Sequence, residues 1–194
     1  MIVRIFALCL SFLTLWACEI PAENPKFDDI RFTGKDAFRL TVGKIEIVRR
    51  YRAPAAAPNV DHRFPITPQQ VLINWANDRL LAVGTTGTAT FVIEDASVVE
   101  TKLKKKTGLK AFFTSQQSER YDGRLAVTLI IQKGNSRAQI KAETLRSQTA
   151  AEHISVNDRD RIFYQLTHDL AVAIDQEVEA KIQQYLAEFV DNPR

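Results

Sequence analysis

The three histidines of this chain, His62, His153 and His168, are its first candidates for catalysis or metal binding. No two of them have metal-ligand spacing such as His-x-x-x-His. Asp61 precedes His62 and Asp169 follows His168, but adjacency in sequence does not provide the geometry that a base and its orienting acid need. We therefore predict no metal site and no catalytic histidine.

The serines and glycines also lack a catalytic pattern. No serine lies in a Gly-x-Ser-x-Gly motif. Gly84-Thr-Thr-Gly87 resembles a phosphate loop in composition, but it lacks the lysine and the strand-then-helix order of such loops, so a turn is predicted there. We expect a protein that is not an enzyme and needs no cofactor. The alternative is an enzyme whose site gathers residues distant in sequence.

One segment suggests binding to anionic lipid. Five lysines and two phenylalanines lie close together, namely Lys102, Lys104, Lys105, Lys106, Lys110, Phe112 and Phe113. Ammonium groups could contact lipid phosphates while the aromatic rings enter the membrane interface. The alternative is a solvated connection between two strands, with both rings tucked under the sheet.

The amino terminus has the pattern of a secretory signal. Arg4 is followed by an apolar run from Ile5 to Ala17, about a dozen residues long. A membrane-spanning helix needs roughly 20 residues, and no later segment approaches that length. We expect an exported chain without a spanning helix.

The sequence Leu15-Trp16-Ala17-Cys18 resembles the lipobox of bacterial lipoproteins, although Trp16 departs from the usual small or aliphatic residue. The resemblance implies that Cys18 is acylated, becomes the first mature residue and anchors the chain in a lipid bilayer. Glu19 after it implies transport to the outer membrane, with the body facing the periplasm. The alternative is an ordinary cleaved signal followed by a chance cysteine.

Charge and cysteine content limit the ligands that the protein is expected to bind and the ways in which its fold can be stabilised. The chain has 26 Lys and Arg against 23 Asp and Glu, and this near-neutral balance argues against nucleic-acid binding. Cys9 is removed with the signal peptide, so one cysteine remains and it cannot form an internal disulfide. We therefore expect the hydrophobic core alone to stabilise the domain. We divide the chain into a signal peptide (1–17), a lipidated tether (18–37), one domain (38–190) and a tail (191–194).

The first elements predicted are a strand and a helix. Apolar residues alternate from Phe38 to Val48 but change parity at Gly43, which predicts a bulge there; close approach to a ligand is the alternative reading of this glycine. A helix is predicted from Pro68 to Leu81. Thr67 suits its N-cap, Gln70 its capping box, and Gly84 its termination.

Three strands and a long helix follow. The strands are predicted over 88–103, 121–132 and 136–146, the last two as a hairpin around Lys133-Gly134-Asn135-Ser136, with one solvent-facing side. The last helix, over 158–190, would be roughly 50 Å long, so its far end should overhang, bend or meet a partner. The prediction is an α+β fold in which two helices pack on one face of a four-stranded, mostly antiparallel sheet, in the order β-α-β-β-β-α.

The lipobox and the order of strands and helices together resemble those of small envelope lipoproteins that assist transport. The plan is similar to auxiliary lipoproteins of ABC-type lipid or solvent-resistance transporters and to the lipopolysaccharide-assembly lipoprotein, and the chain also looks like alphaproteobacterial lipoproteins. This implies a non-enzymatic accessory that binds a transport or assembly partner, or a lipid, through the sheet, the 102–113 segment or the last helix. A structural lipoprotein without a transport role is the alternative, and neighbouring transporter genes would discriminate the two.

Overall fold

The computed structural model describes residues 25–104 and 117–191. Two 3₁₀ turns, Asp61–Arg63 and Ala187–Phe189, accompany the regular elements. Within these ranges no helix combines the length and hydrophobicity needed to cross a bilayer. In chain order the regular elements are β1 Phe38–Leu40, β2 Lys44–Arg49, α1 Pro68–Arg79, β3 Leu80–Ala82, β4 Thr88–Lys102, β5 Gln117–Lys133, β6 Ser136–Ala151 and α2 Val156–Tyr185.

The main sheet has four strands in the order β2-β4-β5-β6. β2 pairs with β4 in parallel, whereas β4, β5 and β6 pair antiparallel. Both helices cover one face, and the core lies between them and the alternating apolar residues of that face. The predicted α+β arrangement is therefore confirmed, with a small parallel sheet of β1 and β3 in addition.

The first predicted strand is two strands in two sheets, so the bulge prediction at Gly43 was wrong. β1 pairs with β3 and β2 pairs with β4. The sequence separation between paired residues is two residues larger in the β2–β4 pair than in the β1–β3 pair. At the crossing, a Cβ on Gly43 would lie 2.9 Å from the Thr85 carbonyl carbon, and one on Gly84 would lie 2.6 Å from that of Thr41. Two backbones approach closely here, and the close approach at Gly43 is to protein rather than to a ligand.

Helix α1 begins as predicted and ends earlier. The Thr67 side chain accepts a hydrogen bond from the Gln70 backbone N–H at 3.2 Å. The Gln70 side chain does not complete a capping box but bonds Asn74 at 2.9 Å. Gly84 does not end the helix either, because the chain turns directly from Arg79 into β3, where pairing with β1 replaces helical hydrogen bonds.

The hairpin of β5 and β6 is confirmed and is longer than predicted. Its strands have 17 and 16 residues. Arg137, Gln139, Lys141 and Glu143 are exposed on the face away from the helices, as expected for a sheet with one solvated side. β6 is an edge strand, and Lys181 of α2 reaches back to donate a hydrogen bond to the Lys141 carbonyl oxygen at 2.6 Å.

The far end of the last helix does not overhang; of the predicted alternatives, a change of direction after Tyr185 is the one observed. α2 has 30 residues, about 45 Å, and the hairpin beneath it is roughly 50 Å long. The helix starts at Val156, with Ser155 as N-cap, and ends at Tyr185. The chain then turns so that Leu186 and Phe189 are buried and Val190 bridges Leu40 of β1.

The two helices lie side by side and run in the same direction. The Thr167 hydroxyl lies 3.3 Å from the Ile66 carbonyl, Trp75 bonds Asp175, and Arg79 bonds Glu179, so contacts advance together along both helices. We call the end where both helices begin the near end. The opposite end, which holds the C-terminal end of α2 and the bridge to β1, is the far end.

Candidate functional site

Residues 27–36, expected to belong to a free tether, instead lie along the groove between the two helices. Phe27 stacks on Tyr164 with ring centroids 5.1 Å apart. Ile30 is buried against Val71 and Ala171, one residue from each helix. We call residues 27–36 the strap. The sequence does not predict that the strap docks, because the apolar residues of the strap follow neither helical nor strand periodicity.

The middle of the strap is bound to α1 through Asp78. The Arg31 guanidinium donates to both carboxylate oxygens, and the Phe32 backbone N–H donates to one of them at 2.9 Å. These bonds favour the charged carboxylate and lower the pKa of Asp78 below its ordinary value. The Arg31 side chain has the larger effect and the Phe32 N–H the smaller. The docked strap therefore favours the ionised form of Asp78.

The last part of the strap joins a buried charge network between the helices. Lys35 Nζ lies 2.8 Å from Asp175 and 2.9 Å from Glu179, both on α2. Asp175 also accepts hydrogen bonds from the Trp75 indole at 2.8 Å and from Arg79 Nε at 3.2 Å. A buried carboxylate needs such compensation, and here two cations and an indole N–H provide it.

Arg79 is the centre of this network. Its side chain is 3% exposed and donates to Asp175, to Glu179 at 2.8 Å and to the carbonyl oxygen of Asp36 in the strap. The guanidinium also lies 4.7 Å from the ring centroid of Phe38, a cation–π geometry. One side chain thus joins α1, α2, the strap and β1.

A cleft of about 870 Å³ opens beside this network at the far end. Lys35, Arg39, Arg79, Glu179 and Asp191 provide its charged walls. Its apolar wall is made by Phe38, Leu81 and Val190, and Leu81 is 46% exposed. Its volume falls within the range of ligand-binding pockets, whereas its lining is more charged than is usual for them.

The three cations of the cleft are each paired with a carboxylate. Arg39 pairs with Asp191 at 3.1 Å, while Lys35 and Arg79 share Asp175 and Glu179. Groups that compensate one another hold the shape of a cleft. Its described lining residues include no Ser, Thr, Cys or His.

The three histidines lie apart on the surface. His62 is exposed in the 3₁₀ turn, His153 is 88% exposed and 3.3 Å from Glu152, and His168 is 50% exposed and 3.9 Å from Asp169. Within residues 25–104 and 117–191, no group of three His, Cys, Asp or Glu side chains is placed to hold a metal ion.

The lysine-rich segment is only partly described. Lys102 ends β4 and is exposed, and Lys104 is exposed two residues later. Neither forms an ion pair with another described residue. The remaining members of the predicted binding set, and the predicted acylation site, lie outside the described residues; these are Lys105, Lys106, Lys110, Phe112, Phe113 and Cys18.

Lys102 and Lys104 belong to a surface at the near end. Residues 55–58, Ala-Ala-Ala-Pro, are all exposed beside them, since the Pro58 carbonyl accepts the Glu100 N–H of β4. Val156, at the start of α2, is 71% exposed. We call residues 55–58, Lys102, Lys104 and Val156 the near-end surface.

Aromatic packing supports the near end from within. Phe163 stacks on Phe64 with centroids 4.1 Å apart and meets the edge of Tyr121 at 4.9 Å. The Tyr121 hydroxyl donates a hydrogen bond to Glu119 at 2.5 Å. Burial raises the pKa of Tyr121, and this hydrogen bond raises it further. The tyrosine therefore remains a neutral donor.

The sequence reasoning missed the residues of the charge network, although one signal was present. Arg79 follows Trp75 by one helical turn, and Asp175 lies between Ile174 and Val178. A charged residue on the buried stripe of an amphipathic helix indicates a buried partner. The identity of that partner could not be read, because it lies 96 residues away in sequence.

Comparison with known proteins gives weak structural likenesses alone. No family model matches the chain, and no curated protein matches it. A rare lipoprotein B from Shewanella oneidensis is similar at 9% identity over 73% of this chain and 97% of that one, with a TM-score of 0.37. A minor lipoprotein from Acinetobacter baumannii is similar at 15% identity over 79% and 99%, with a TM-score of 0.38. Likenesses at this level carry no argument about function.

Proposed function

We propose that this chain is a non-enzymatic lipoprotein of the bacterial cell envelope, anchored through acylated Cys18 and acting as an accessory to a transport or envelope-assembly system. In this proposal the body faces the periplasm, on the outer membrane, and the far-end cleft binds the partner. A single acyl chain gives reversible attachment, whereas two or more anchor a protein stably.

The strap is the observation that carries this proposal. It connects the segment that follows Cys18 to both helices through the Phe27 stack, the Arg31–Asp78 pair and the Lys35 network. A lipid at Cys18 would therefore be joined to the folded body through a docked segment rather than a free linker. The cleft of about 870 Å³ lies at the opposite end.

The cleft also supports a binding role. Its cations are each paired with a carboxylate, and Leu81 offers exposed apolar surface between them. A partner side chain could bury Leu81 without leaving a cation unpaired. Apolar residues buried at the centre of a polar rim typically carry most of the energy of an interface.

Fatty-acid labelling tests the anchor. Cells that express the wild-type chain should incorporate labelled palmitate into it, and cells that express Cys18→Ala should not. Sucrose-gradient separation of the two membranes should then place the labelled protein in the outer-membrane fraction. Label in Cys18→Ala, or an unlabelled wild-type protein, would contradict lipid anchoring.

Site-specific photo-crosslinking tests the cleft. A photoreactive amino acid at Leu81, 46% exposed in the cleft, should give an adduct with another envelope protein in living cells. The matched control is Val172, 44% exposed on α2 away from the cleft, which should give none. Equal adducts at both positions, or none at Leu81, would argue against a partner at the cleft.

A further inference from the structure

The length of the segment between Cys18 and the strap limits where a membrane can lie. Fully extended, residues 18–26 reach at most about 32 Å. Phe27 is held on Tyr164, eight residues or about 12 Å from the start of α2. The far end, at Tyr185, lies about 32 Å from Tyr164 in the other direction. A lipid on Cys18 thus passes the near end with about 20 Å to spare, whereas it reaches the far end only if all of residues 18–26 are fully extended.

The near-end surface has the chemistry of a membrane contact. Residues 55–58 and Val156 are apolar and exposed, and Lys102 and Lys104 have no carboxylate partner among the described residues. Several acids of this end are already engaged: Glu100 by Arg63 at 3.4 Å, Glu119 by Arg159 at 3.5 Å and Asp158 by Arg161 at 2.8 Å. Small apolar groups beside free ammonium groups suit the interface of an anionic bilayer.

We infer that the near-end surface rests on the bilayer, so that both helices stand upright and the far-end cleft projects about 45 Å into the periplasm. This inference rests on the proposed acylation of Cys18. The strap maintains the orientation, because its docking limits the connection between lipid and body to residues 18–26. An undocked strap would leave residues 18–36 free, with a reach of about 65 Å, and the body could turn over.

Depth-dependent fluorescence quenching tests the orientation. The mature chain has one cysteine, and acylation blocks it, so an introduced cysteine is a unique labelling site. Val156→Cys and Tyr185→Cys place a fluorophore at the near and far ends, at positions 71% and 60% exposed. The lipidated protein is reconstituted into vesicles of phosphatidylethanolamine and phosphatidylglycerol that carry a headgroup quencher.

The label at 156 should be quenched several-fold more than the label at 185. Equal or reversed quenching in protein that floats with the vesicles would overturn the orientation while leaving the anchor intact. Protein that fails to float would instead refute the proposed lipid attachment, so the two failures are distinguishable.

The strap is tested with the same two labels. Arg31→Ala combined with Lys35→Ala should bring the two quenching values together while the protein still floats and keeps its circular dichroism spectrum. Arg39→Ala, which removes an exposed pair outside the strap, is the matched control and should leave the difference unchanged. A difference that persists in the double variant would show that the strap does not orient the body.

Discussion

The two ends of this molecule are held together by different chemistry. At the near end, Phe163 packs between Phe64 and Tyr121, and the contacts are aromatic. At the far end, Arg79, Asp175, Lys35 and Glu179 form a partly buried charge network. Aromatic burial is insensitive to pH, whereas a charge network requires each member to keep its charge. The near-end contacts join α2 to the sheet, whereas the far-end network joins the two helices to each other and to the strap. The two ends should therefore respond differently to substitution and acid.

The largest effect is expected from removing the centre of the far-end network. Arg79→Ala leaves Asp175 buried without one of its two cations and should reduce the free energy of unfolding by about 3–5 kcal/mol. Urea denaturation of the mature chain carrying Cys18→Ala measures this. Arg39→Ala breaks an exposed pair and should cost less than about 1 kcal/mol.

A double variant separates lost charge from lost packing at this site. Because an unpaired buried charge accounts for most of the expected cost, Arg79→Met with Asp175→Asn should be more stable than Arg79→Ala alone. A double variant no more stable than Arg79→Ala would contradict the role assigned to the charge pair.

The next largest loss of stability is expected at the crossing that joins the small sheet to the main sheet. Gly84→Ala places a methyl group 2.6 Å from the backbone of Thr41 and should destabilise the protein by roughly 1–3 kcal/mol. Gly34→Ala, in the strap, meets nothing within 4 Å and is the matched control. Thermal unfolding compares them, and equal melting temperatures would disprove the close approach at Gly84.

Acid should undock the middle of the strap while the near end stays folded. The pKa of Asp78 is lowered in the folded state, so its contribution is complete above the ordinary value of 3.8 and is lost as the pH falls below it. The reporter is the Phe32 amide, which donates to Asp78. Its hydrogen exchange, corrected for the intrinsic pH dependence, should accelerate below about pH 4.

The control for this acid effect is Asp78→Asn, which removes the titrating group. In that variant the corrected exchange of the Phe32 amide should be fast at neutral pH as well and should lose its acid dependence. Protection of Phe32 that survives in Asp78→Asn would mean that other contacts hold this part of the strap.

The smallest effect is expected at the near-end surface. Lys102→Ala and Lys104→Ala should each weaken binding of the unlipidated mature chain to phosphatidylglycerol vesicles by about fivefold, since a lysine near an anionic surface contributes about 1 kcal/mol. Vesicle sedimentation at low salt measures this. Lys44→Ala, on β2 beside the far-end crossing, is the control and should leave binding unchanged.

Local patterns in the sequence predicted much of the fold. The Thr67 cap fixed the start of α1, and the turn at Gly134 and Asn135 fixed the hairpin, because both signals act within a few residues. The hairpin strands were predicted too short because Ser147, Gln148 and Thr149 lack apolar alternation. Ser147 and Thr149 are exposed, and Gln148 faces α2, where its side chain donates a hydrogen bond to Asp169 at 3.2 Å, so the polar composition carries no periodic apolar signal.

The elements that depend on distant partners could not be predicted. Leu80 leaves the helix because β1 offers a pairing partner, so tertiary contact overrides the expected stop at Gly84. The strap and the cleft depend on Arg31 meeting Asp78 and Lys35 meeting Asp175, at separations of 47 and 140 residues. No periodicity in a single sequence encodes such pairs.

These separations also fix the order in which the molecule can be completed. Lys35 is synthesised 140 residues before Asp175, a delay of roughly 7–28 s at ordinary rates of translation. The groove that receives the strap does not exist until the last helix has emerged. The strap is therefore among the last segments to dock, although it is synthesised early, and a nascent protein would carry it undocked throughout synthesis.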